Sequence, residues 1–213
     1  REAYEGALGK LRAAAPTSSA DDVRRTVEEE LGAPIAELFA EFEEAPFASA
    51  SIGQVHRTRL FDGTEVAVKV QHVGIRDAVE ADLSNVSMLE SFSTIGPAKR
   101  FEVKTVLDQI RARFREELDY ELEAERQRYF IDLHAGDPHV VVPRVIADRS
   151  RSRVLTSELV RGRTLEQVAE QPEAVRRHHA KTLWRFVFKG NLVGGLFNAD
   201  PHPGNYVFLD DER

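Results

Sequence analysis

The sequence predicts an α+β fold in two lobes, a β-rich N-lobe with inserted helices followed by a helical C-lobe. Runs typical of strands, with two long helical patterns among them, occur between residues 45 and 158, and helical patterns dominate from residue 159 onward. This order is expected of a small sheet joined to a helical lobe. We predict a helical extension over residues 1–44, the N-lobe over 45–158 and a partial C-lobe over 159–213, with the fold truncated at both ends of the chain.

Composition limits the classes of function. The 213 residues are 42% hydrophobic, enough for a buried core, and the formal net charge is -7. Such a chain has no basic stripe to neutralise a nucleic-acid backbone, so no nucleic acid is expected as a partner. Cysteine is absent, which excludes disulfides and thiolate metal sites. No apolar run approaches the roughly 18 residues of a membrane span. We expect a soluble protein, and the frequent arginine and alanine are typical of a bacterial chain.

The first helices are predicted from caps and apolar spacing. Residues 1–14 have a weak helical pattern. Ala20–Asp22 can cap a helix that continues to Leu31 and stops at Gly32. The apolar residues of Ile35–Phe42 recur at helical spacing, which predicts a second, short helix.

A hairpin and two long helices are predicted next. Alternation from Ile52 to Leu60, a turn at Phe61–Thr64 and the apolar run Val66–Val70 are typical of two strands joined by a tight turn. The helical patterns that follow are Ile75–Ser93 and Val103–Phe130.

The rest of the chain is predicted to contain short strands, a connector and two helices. The strands are Val140–Pro143, Val145–Ala147, Val154–Thr156 and Tyr206–Leu209. The connector is Ser157–Gly162, and the helices are Thr164–Glu170 and Pro172–Leu192.

Lys69, which ends the run Val66-Ala67-Val68-Lys69, is the first candidate for chemistry. A buried strand that carries one lysine can hold its ammonium where a phosphate or carboxylate compensates the charge. Taken alone, a match to this tetrapeptide is more often a strand-end lysine that faces solvent. A functional interpretation of Lys69 therefore requires a second motif elsewhere in the chain.

That second motif is the loop Asn198–Asn205, in which Asp200 and Asn205 stand five positions apart. This is the spacing of a kinase catalytic loop, whose aspartate orients or deprotonates the acceptor hydroxyl and whose asparagine coordinates Mg²⁺. Two prolines and a glycine stiffen and bend the segment, although a plain turn remains the structural alternative. Together the two motifs predict a protein-kinase-like fold with an ATP site.

The acidic segment Glu116–Glu123 offers a partner for Lys69. A solvated face explains most of its carboxylates, but a lysine that binds phosphates well needs one carboxylate beside it. Glu116, Tyr120 and Glu123 share one face of the predicted helix. We choose Glu123 as the partner of Lys69.

A transition-metal site at His202 is disfavoured. Its candidate co-ligands are Asp200 and the pair His178 and His179. The two histidines are adjacent on a predicted helix and point about 100° apart, so both cannot face one ion.

These segments resemble the UbiB protein-kinase-like family, atypical kinases linked to coenzyme Q and other isoprenoid-lipid pathways. The matching segments, in family order, are Pro46–His56, Val66–Gln71, Glu117–Tyr120 with Glu123 and Ala124, and Asn198–Asn205. In that family an alanine-rich segment replaces the kinase glycine-rich loop, and its β-carbons hinder closure of backbone amides over the phosphates. This chain has Ser49 where members usually carry a third alanine and Asn198 where they carry a histidine. The family's lysine-x-glycine-glutamine and D-F-G motifs are not found in the 213 residues.

The resemblance implies roles for individual residues. Glu123 is expected to pair with Lys69, Asp200 to be the catalytic aspartate and Asn205 the metal ligand. Glu117 and Asp119 correspond to the family's regulatory E-x-D pair. Residues expected to contact the nucleotide, the last two through the hinge backbone at 158–160, are Ala48, Ser49, Ala50, Ser51, Ile52, Gly53, Val55, Ala67, Lys69, Glu158 and Val160.

The resemblance also implies an enzyme, an atypical kinase or ATPase that uses ATP and Mg²⁺. The implied partners besides the nucleotide are an isoprenoid lipid or quinone precursor, and a peripheral membrane or lipid-enzyme partner. The implied location is cytoplasmic and peripheral to the inner membrane.

Two other functions remain open from the residues alone. A small-molecule phosphotransferase of the aminoglycoside-kinase type uses a similar aspartate-x-histidine-proline-glycine-asparagine loop, but it has neither the alanine-rich segment nor the E-L-D-Y helix. A non-catalytic scaffold that senses nucleotide would be stabilised by ATP without releasing phosphate.

Overall fold

A computed structural model describes residues 18–49, 52–81, 108–109, 111–196 and 203–210. The described residues form two compact units. The first contains those up to Glu123 together with Ile146–Thr156, and the second contains Ala124–Val145 and those from Ser157 onward. The predicted domain boundaries stay a prediction, as does the helix over residues 1–14, which lies outside the described residues.

The first unit is built around an antiparallel sheet. Its strands are β1 Glu41–Phe42, β2 Ala48–Ser49, β3 Gly53–Arg59, β4 Glu65–Gln71 and β5 Val154–Glu158, of which the last two residues belong to the second unit. The strand order is β1-β3-β4-β5, and β2 pairs with the start of β3. Strands β3 and β4 form the predicted hairpin, with Gly53 opposite Gln71 and Arg59 opposite Glu65. Gly63 in the turn has a φ of 87°, a conformation that glycine adopts without strain.

Helix α1, Ala20–Leu31, covers one face of this sheet. It begins at the cap residue Ser19, whose hydroxyl accepts a hydrogen bond from the N–H of Asp22, and ends at Gly32 in the left-handed conformation. Its buried residue Val27 joins the apolar side chains of β4 in the hydrophobic core. The predicted helix is thus confirmed, with its cap one residue earlier than expected.

The predicted helix Ile35–Phe42 is wrong in its second half. Helix α2 ends at Leu38, and Glu41–Phe42 forms strand β1. The N–H of Ala40 donates to the carbonyl of Arg59 at 2.8 Å, so pairing with a distant strand outweighs the local helical spacing.

The predicted helix Val103–Phe130 is broken in the structure. Residues 111–117 are helical, the helix stops at Leu118 and Asp119, and helix α3 covers Tyr120–Leu133. Of the other long prediction, Ile75–Ser93, residues 75–81 are helical and the remainder lies outside the described residues.

Helices α4, Leu165–Ala169, and α5, Glu173–Leu192, lie in the second unit as predicted. Thr164 and Gln167 form a capping box at the start of α4. Three predicted strands are wrong, because the chain there forms isolated bridges or no regular pairing. The segments are Val140–Pro143, Val145–Ala147, of which Val145 bridges Ser157, and Tyr206–Leu209, of which Phe208 bridges Arg163.

Candidate functional site

The side chains of strand β4 alternate between two faces, one in the core and one at the candidate site. Val66, Val68 and Val70 point into the core and are completely buried. Lys69 and Gln71 leave the opposite face, because successive side chains of a strand alternate. The predicted contact residues Val55 and Ala67 share that face, since Val55 lies directly opposite Lys69 in the β3–β4 register.

Lys69 and Glu123 form an ion pair in the first unit. The Nζ of Lys69 donates to Oε2 of Glu123 at 2.8 Å and to Oε1 at 3.0 Å. A quarter of the lysine side chain, 25%, remains exposed to solvent. The structure therefore brings together the two residues chosen for this pair from the sequence, although their catalytic roles stay predictions.

The break before α3 fixes the position of Glu123. Asp119 caps the helix, because its Oδ1 accepts from the N–H groups of Glu121 at 3.1 Å and Leu122 at 3.2 Å. Glu123 follows one turn later. The break also separates Glu116 from Tyr120 and Glu123, so the single face predicted for these three residues is wrong. Glu117 lies 3.6 Å from Arg113 and is largely exposed. Regulatory roles for Glu117 and Asp119 stay predictions.

Gln71 holds the helix break at Leu118 in place. It is buried at the end of β4, and its Nε2 donates to the carbonyl oxygens of Leu118 at 2.8 Å and Ser152 at 3.2 Å. Arg76 donates to the same two carbonyls, at 2.6 Å and 3.3 Å. Lys69 and Gln71, two positions apart on one strand face, thus contact the start of the same helix.

Tyr120 lies beneath the ion pair. The Lys69 Nζ is 4.5 Å from the centre of its ring, and the side chain is completely buried. Burial, with the charges of Glu123 and Glu117, raises the pKa of the Tyr120 hydroxyl, so it stays neutral. Sequence reasoning missed both Tyr120 and Gln71 as site residues. Their position within the resembling segments was the only available signal.

The alanine-rich segment is described only at its edges. Ala48 and Ser49 are exposed and pair with Val55 and Gln54 of β3, while Ala50 and Ser51 lie outside the described residues. The carbonyl of Ile52 accepts from the N–H of His72 at 3.0 Å, which ties the end of this segment to the residue after β4.

Gly53 is required for packing. A β-carbon at this position would lie 2.5 Å from the carbonyl oxygen of Val70 and 2.7 Å from the Tyr120 hydroxyl. Glycine therefore allows the first residue of β3 to approach both the neighbouring strand and the tyrosine ring.

The second unit contains a cavity of about 250 Å³ with a mainly apolar wall. Two predicted site residues from distant parts of the sequence, Val160 and Asn205, line this cavity. Asn205 is exposed at the end of the 3-10 turn Pro203–Asn205. The carboxylate of Glu158 accepts from the guanidinium of Arg144 at 2.9 Å, and the backbone contact predicted for Glu158 stays a prediction.

The catalytic-loop aspartate, Asp200, lies outside the described residues, as do His202 and Asn198. Within the described parts, no group of three or more acidic or histidine side chains could hold a metal ion. His179 is buried with its ring 5.0 Å from that of Phe208, and His178 lies against His139 at 4.9 Å between ring centres. Among the described residues, the helices are all too short or too polar to cross a bilayer.

A strand lysine paired with a helix carboxylate, in a chain of this order of elements, is characteristic of kinase-like proteins. Residues 10–213 match the family model described as ABC1 atypical kinase-like domain. The chain belongs to this family, which is the UbiB family. Both the resemblance and the kinase-like fold class are thereby confirmed.

Relatives and a solved structure agree with this assignment. An uncharacterized Mycobacterium tuberculosis protein is 40% identical over 221 residues, which cover 98% of this chain and 43% of that protein. The mitochondrial atypical kinase coq-8 of Caenorhabditis elegans is 34% identical over 197 residues, 92% of this chain and 26% of that protein. The structure of Mycobacterium tuberculosis Rv3197 with erythromycin matches with a TM-score of 0.81 at 35% identity, covering 100% of this chain and 53% of that one. The chain thus spans between about a quarter and a half of these proteins.

Proposed function

We propose that this chain is the ATP-binding part of an atypical kinase or ATPase of the UbiB type. The observation that carries the proposal is the ion pair between Lys69 and Glu123. A lysine that leaves a buried strand and is held by a carboxylate, yet keeps a quarter of its surface exposed, can give an N–H donor to a phosphate oxygen.

The residues present fit a magnesium nucleotide. The ammonium of Lys69 suits phosphate, and the amide oxygen of Asn205 is the hard oxygen ligand that Mg²⁺ prefers. When bound, the ion would neutralise charge on the phosphates. In this proposal Lys69 binds phosphate oxygens, Glu123 orients Lys69, and Asp200 orients the acceptor hydroxyl and accepts its proton. Val160, which lines the cavity of the second unit, contacts the base through its backbone in this proposal.

The finer function that we propose is support of quinone or isoprenoid-lipid metabolism. The resemblance to the UbiB family and the relative coq-8, named as a mitochondrial atypical kinase, support it. In this proposal the partner is an isoprenoid lipid or quinone precursor. The protein is cytoplasmic and peripheral to the inner membrane, and it binds its partner at the membrane surface or on a lipid-modifying enzyme. The alanine-rich segment at Ala48 and Ser49 favours ATP hydrolysis or an unusual acceptor over phosphorylation of protein.

The test is ADP release by the full-length protein, with and without vesicles that carry isoprenoid lipids or quinone-like phenols. We expect Lys69→Met and Asp200→Asn each to abolish turnover, and Lys181→Met, at an exposed lysine of α5, to leave it unchanged. Unaffected turnover in the first two variants would reject the assignment.

The same assay separates the two alternatives. Stoichiometric phosphate transfer to a soluble alcohol would favour the small-molecule phosphotransferase. An ATP-dependent rise in melting temperature without ADP release would favour the nucleotide-sensing scaffold.

A further inference from the structure

The Lys69 ammonium has two restraints of different chemistry in the first unit. Glu123 accepts two of its hydrogen bonds, and the face of the Tyr120 ring lies 4.5 Å from Nζ. We propose that Tyr120 is a positioning residue whose ring face holds the Lys69 ammonium for the nucleotide phosphates. This inference rests on the proposed function.

The ring restrains the Lys69 ammonium without the negative charge that a second carboxylate would add. An ammonium has three N–H donors, and the two oxygens of Glu123 take two of them. The electron-rich face of an aromatic ring attracts the positive charge of an ammonium whether an N–H or a Cε–H faces the ring, so the contact does not require an N–H donor. It also adds no negative charge that would repel a phosphate. The third donor of Lys69 therefore stays available for a phosphate oxygen.

The ring is held more firmly than the lysine. Tyr120 is the first residue of α3 and is completely buried, and its N–H donates to the carbonyl of Ser152 at 3.2 Å. The missing side chain of Gly53 leaves the space that the hydroxyl occupies, since a β-carbon there would lie 2.7 Å from that oxygen. A fixed platform under a flexible four-carbon stem reduces the freedom that Lys69 loses when phosphate binds.

The hydroxyl of Tyr120 is not what restrains the lysine. Within the described residues this oxygen is buried and has no hydrogen-bond partner. A phenyl ring at the same place would keep the cation–π contact and remove an unsatisfied polar group. The inference therefore assigns the role to the ring face and predicts that phenylalanine can replace tyrosine.

The experiment measures ATP affinity of the full-length protein for a graded series at position 120. The variants are Tyr120→Phe and replacements by mono-, di- and trifluorinated phenylalanine, which keep the ring volume nearly constant while weakening its π face, and Tyr120→Leu, which removes the ring. We expect Tyr120→Phe to stay within about twofold of wild type, affinity to fall stepwise with fluorination, and Tyr120→Leu to bind about three- to tenfold more weakly. Tyr129→Leu, at an exposed tyrosine of the same helix, is the control and should bind normally.

A second readout needs no nucleotide. With lysine labelled at ¹³Cε, the Lys69 resonance, assigned through Lys69→Arg, should show an upfield ring-current shift in wild type and Tyr120→Phe that is lost in Tyr120→Leu. If Tyr120→Leu does not fold, the fluorinated series alone decides.

The outcomes separate the two proposals. Equal ATP affinity across the series, in a protein that binds ATP, would overturn the role of Tyr120 and leave the proposed function standing. Failure of the wild type to bind ATP would overturn the proposed function and the role toward phosphates with it, and the Lys69 resonance would then decide whether the ring holds the ammonium at all.

Discussion

The two units hold their predicted site residues in different ways. In the first unit Lys69 leaves a strand whose other face is completely buried, and Tyr120 and Glu123 restrain its ammonium. In the second unit Asn205 is exposed at the end of a short 3-10 turn, and Trp184 of helix α5 is 63% exposed. Lys69 is thus held against a packed core, whereas the second unit presents apolar surface that the described residues do not cover.

This difference predicts that chemically similar substitutions cost more in the first unit than in the second. Backbone and side chains around Lys69 are fixed by several partners at once, so a disturbance there has few ways to relax. Matched pairs of substitutions, one in each unit, can test the comparison directly.

The largest effect is expected from adding one methyl group at a crowded glycine. Gly53→Ala would place a β-carbon 2.5 Å from the Val70 carbonyl and 2.7 Å from the Tyr120 hydroxyl, so the paired strand backbone and the buried ring would both have to shift. We expect the free energy of unfolding to fall by about 3 kcal/mol. Urea denaturation would measure it.

The matched variant in the second unit is Gly162→Ala. Its β-carbon would lie 2.8 Å from the carbonyl oxygen of Phe208, which is held by an isolated bridge to Arg163 and can shift more easily. We expect a loss of about 1 kcal/mol. If Gly162→Ala cost as much as Gly53→Ala, the second unit would be as rigid as the first and the comparison would fail.

Intermediate effects are expected at two mostly buried carboxylates, each paired with an arginine. Glu30 accepts from the Nε of Arg153 at 2.8 Å and from its N–H at 3.0 Å, while Asp137 accepts from Arg185 at 2.9 Å. Their side chains are 15% and 14% exposed. At pH 7, Glu30→Gln should cost about 1–2 kcal/mol and Asp137→Asn about 0.5–1 kcal/mol. Among the described residues, Glu30 also accepts from the Ser152 hydroxyl at 3.4 Å and so has three donors, whereas Asp137 has two, Arg185 and the N–H of His139 at 3.0 Å.

The pH dependence of the Glu30 effect has a definite sign. Burial raises the pKa of Glu30, but the hydrogen bonds from Arg153 outweigh it and hold the pKa below its usual 4.5. A carboxyl with a lowered pKa in the folded state stabilises the protein at neutral pH, and this contribution is lost as the pH falls from 4.5 through the lowered value. The difference between wild type and Glu30→Gln should therefore shrink below pH 4.5. A difference that grew on acidification would contradict the pairing.

Local signals explain which elements the sequence could predict. Helix α1 has a cap residue before it and Gly32 after it, and the β3–β4 hairpin has an Asp-Gly turn between alternating strands. Strand β1 and the break at Leu118 were missed because distant residues decide them. Phe42 pairs with Thr58, and the Leu118 carbonyl is held by Gln71 from another strand. Such long-range contacts override a local helical pattern, and the local sequence contains no signal of them.

The candidate site shows the same limit. Lys69 and Glu123 could be paired from the resemblance, because each belongs to a recognisable segment. Nothing in the pattern distinguishes Tyr120 from an ordinary buried aromatic residue, or identifies Gly53 as the residue that makes room for its hydroxyl. Their roles depend on distances between a strand, a helix and a glycine that are far apart in the sequence.

The smallest effect is expected on the exposed face of α5. Trp184 stacks on Phe188 with ring centres 4.9 Å apart but remains 63% exposed, so Trp184→Arg removes little buried area and should change the free energy of unfolding of the 213-residue chain by about 0.5 kcal/mol or less. Leu183→Arg, at the neighbouring half-buried residue that lines the cavity, should cost about 2–3 kcal/mol because it buries a charge without a partner. Urea denaturation of both variants would compare them. If Trp184→Arg were as costly as Leu183→Arg, this face would belong to a packed core, and the contrast between the two units would disappear.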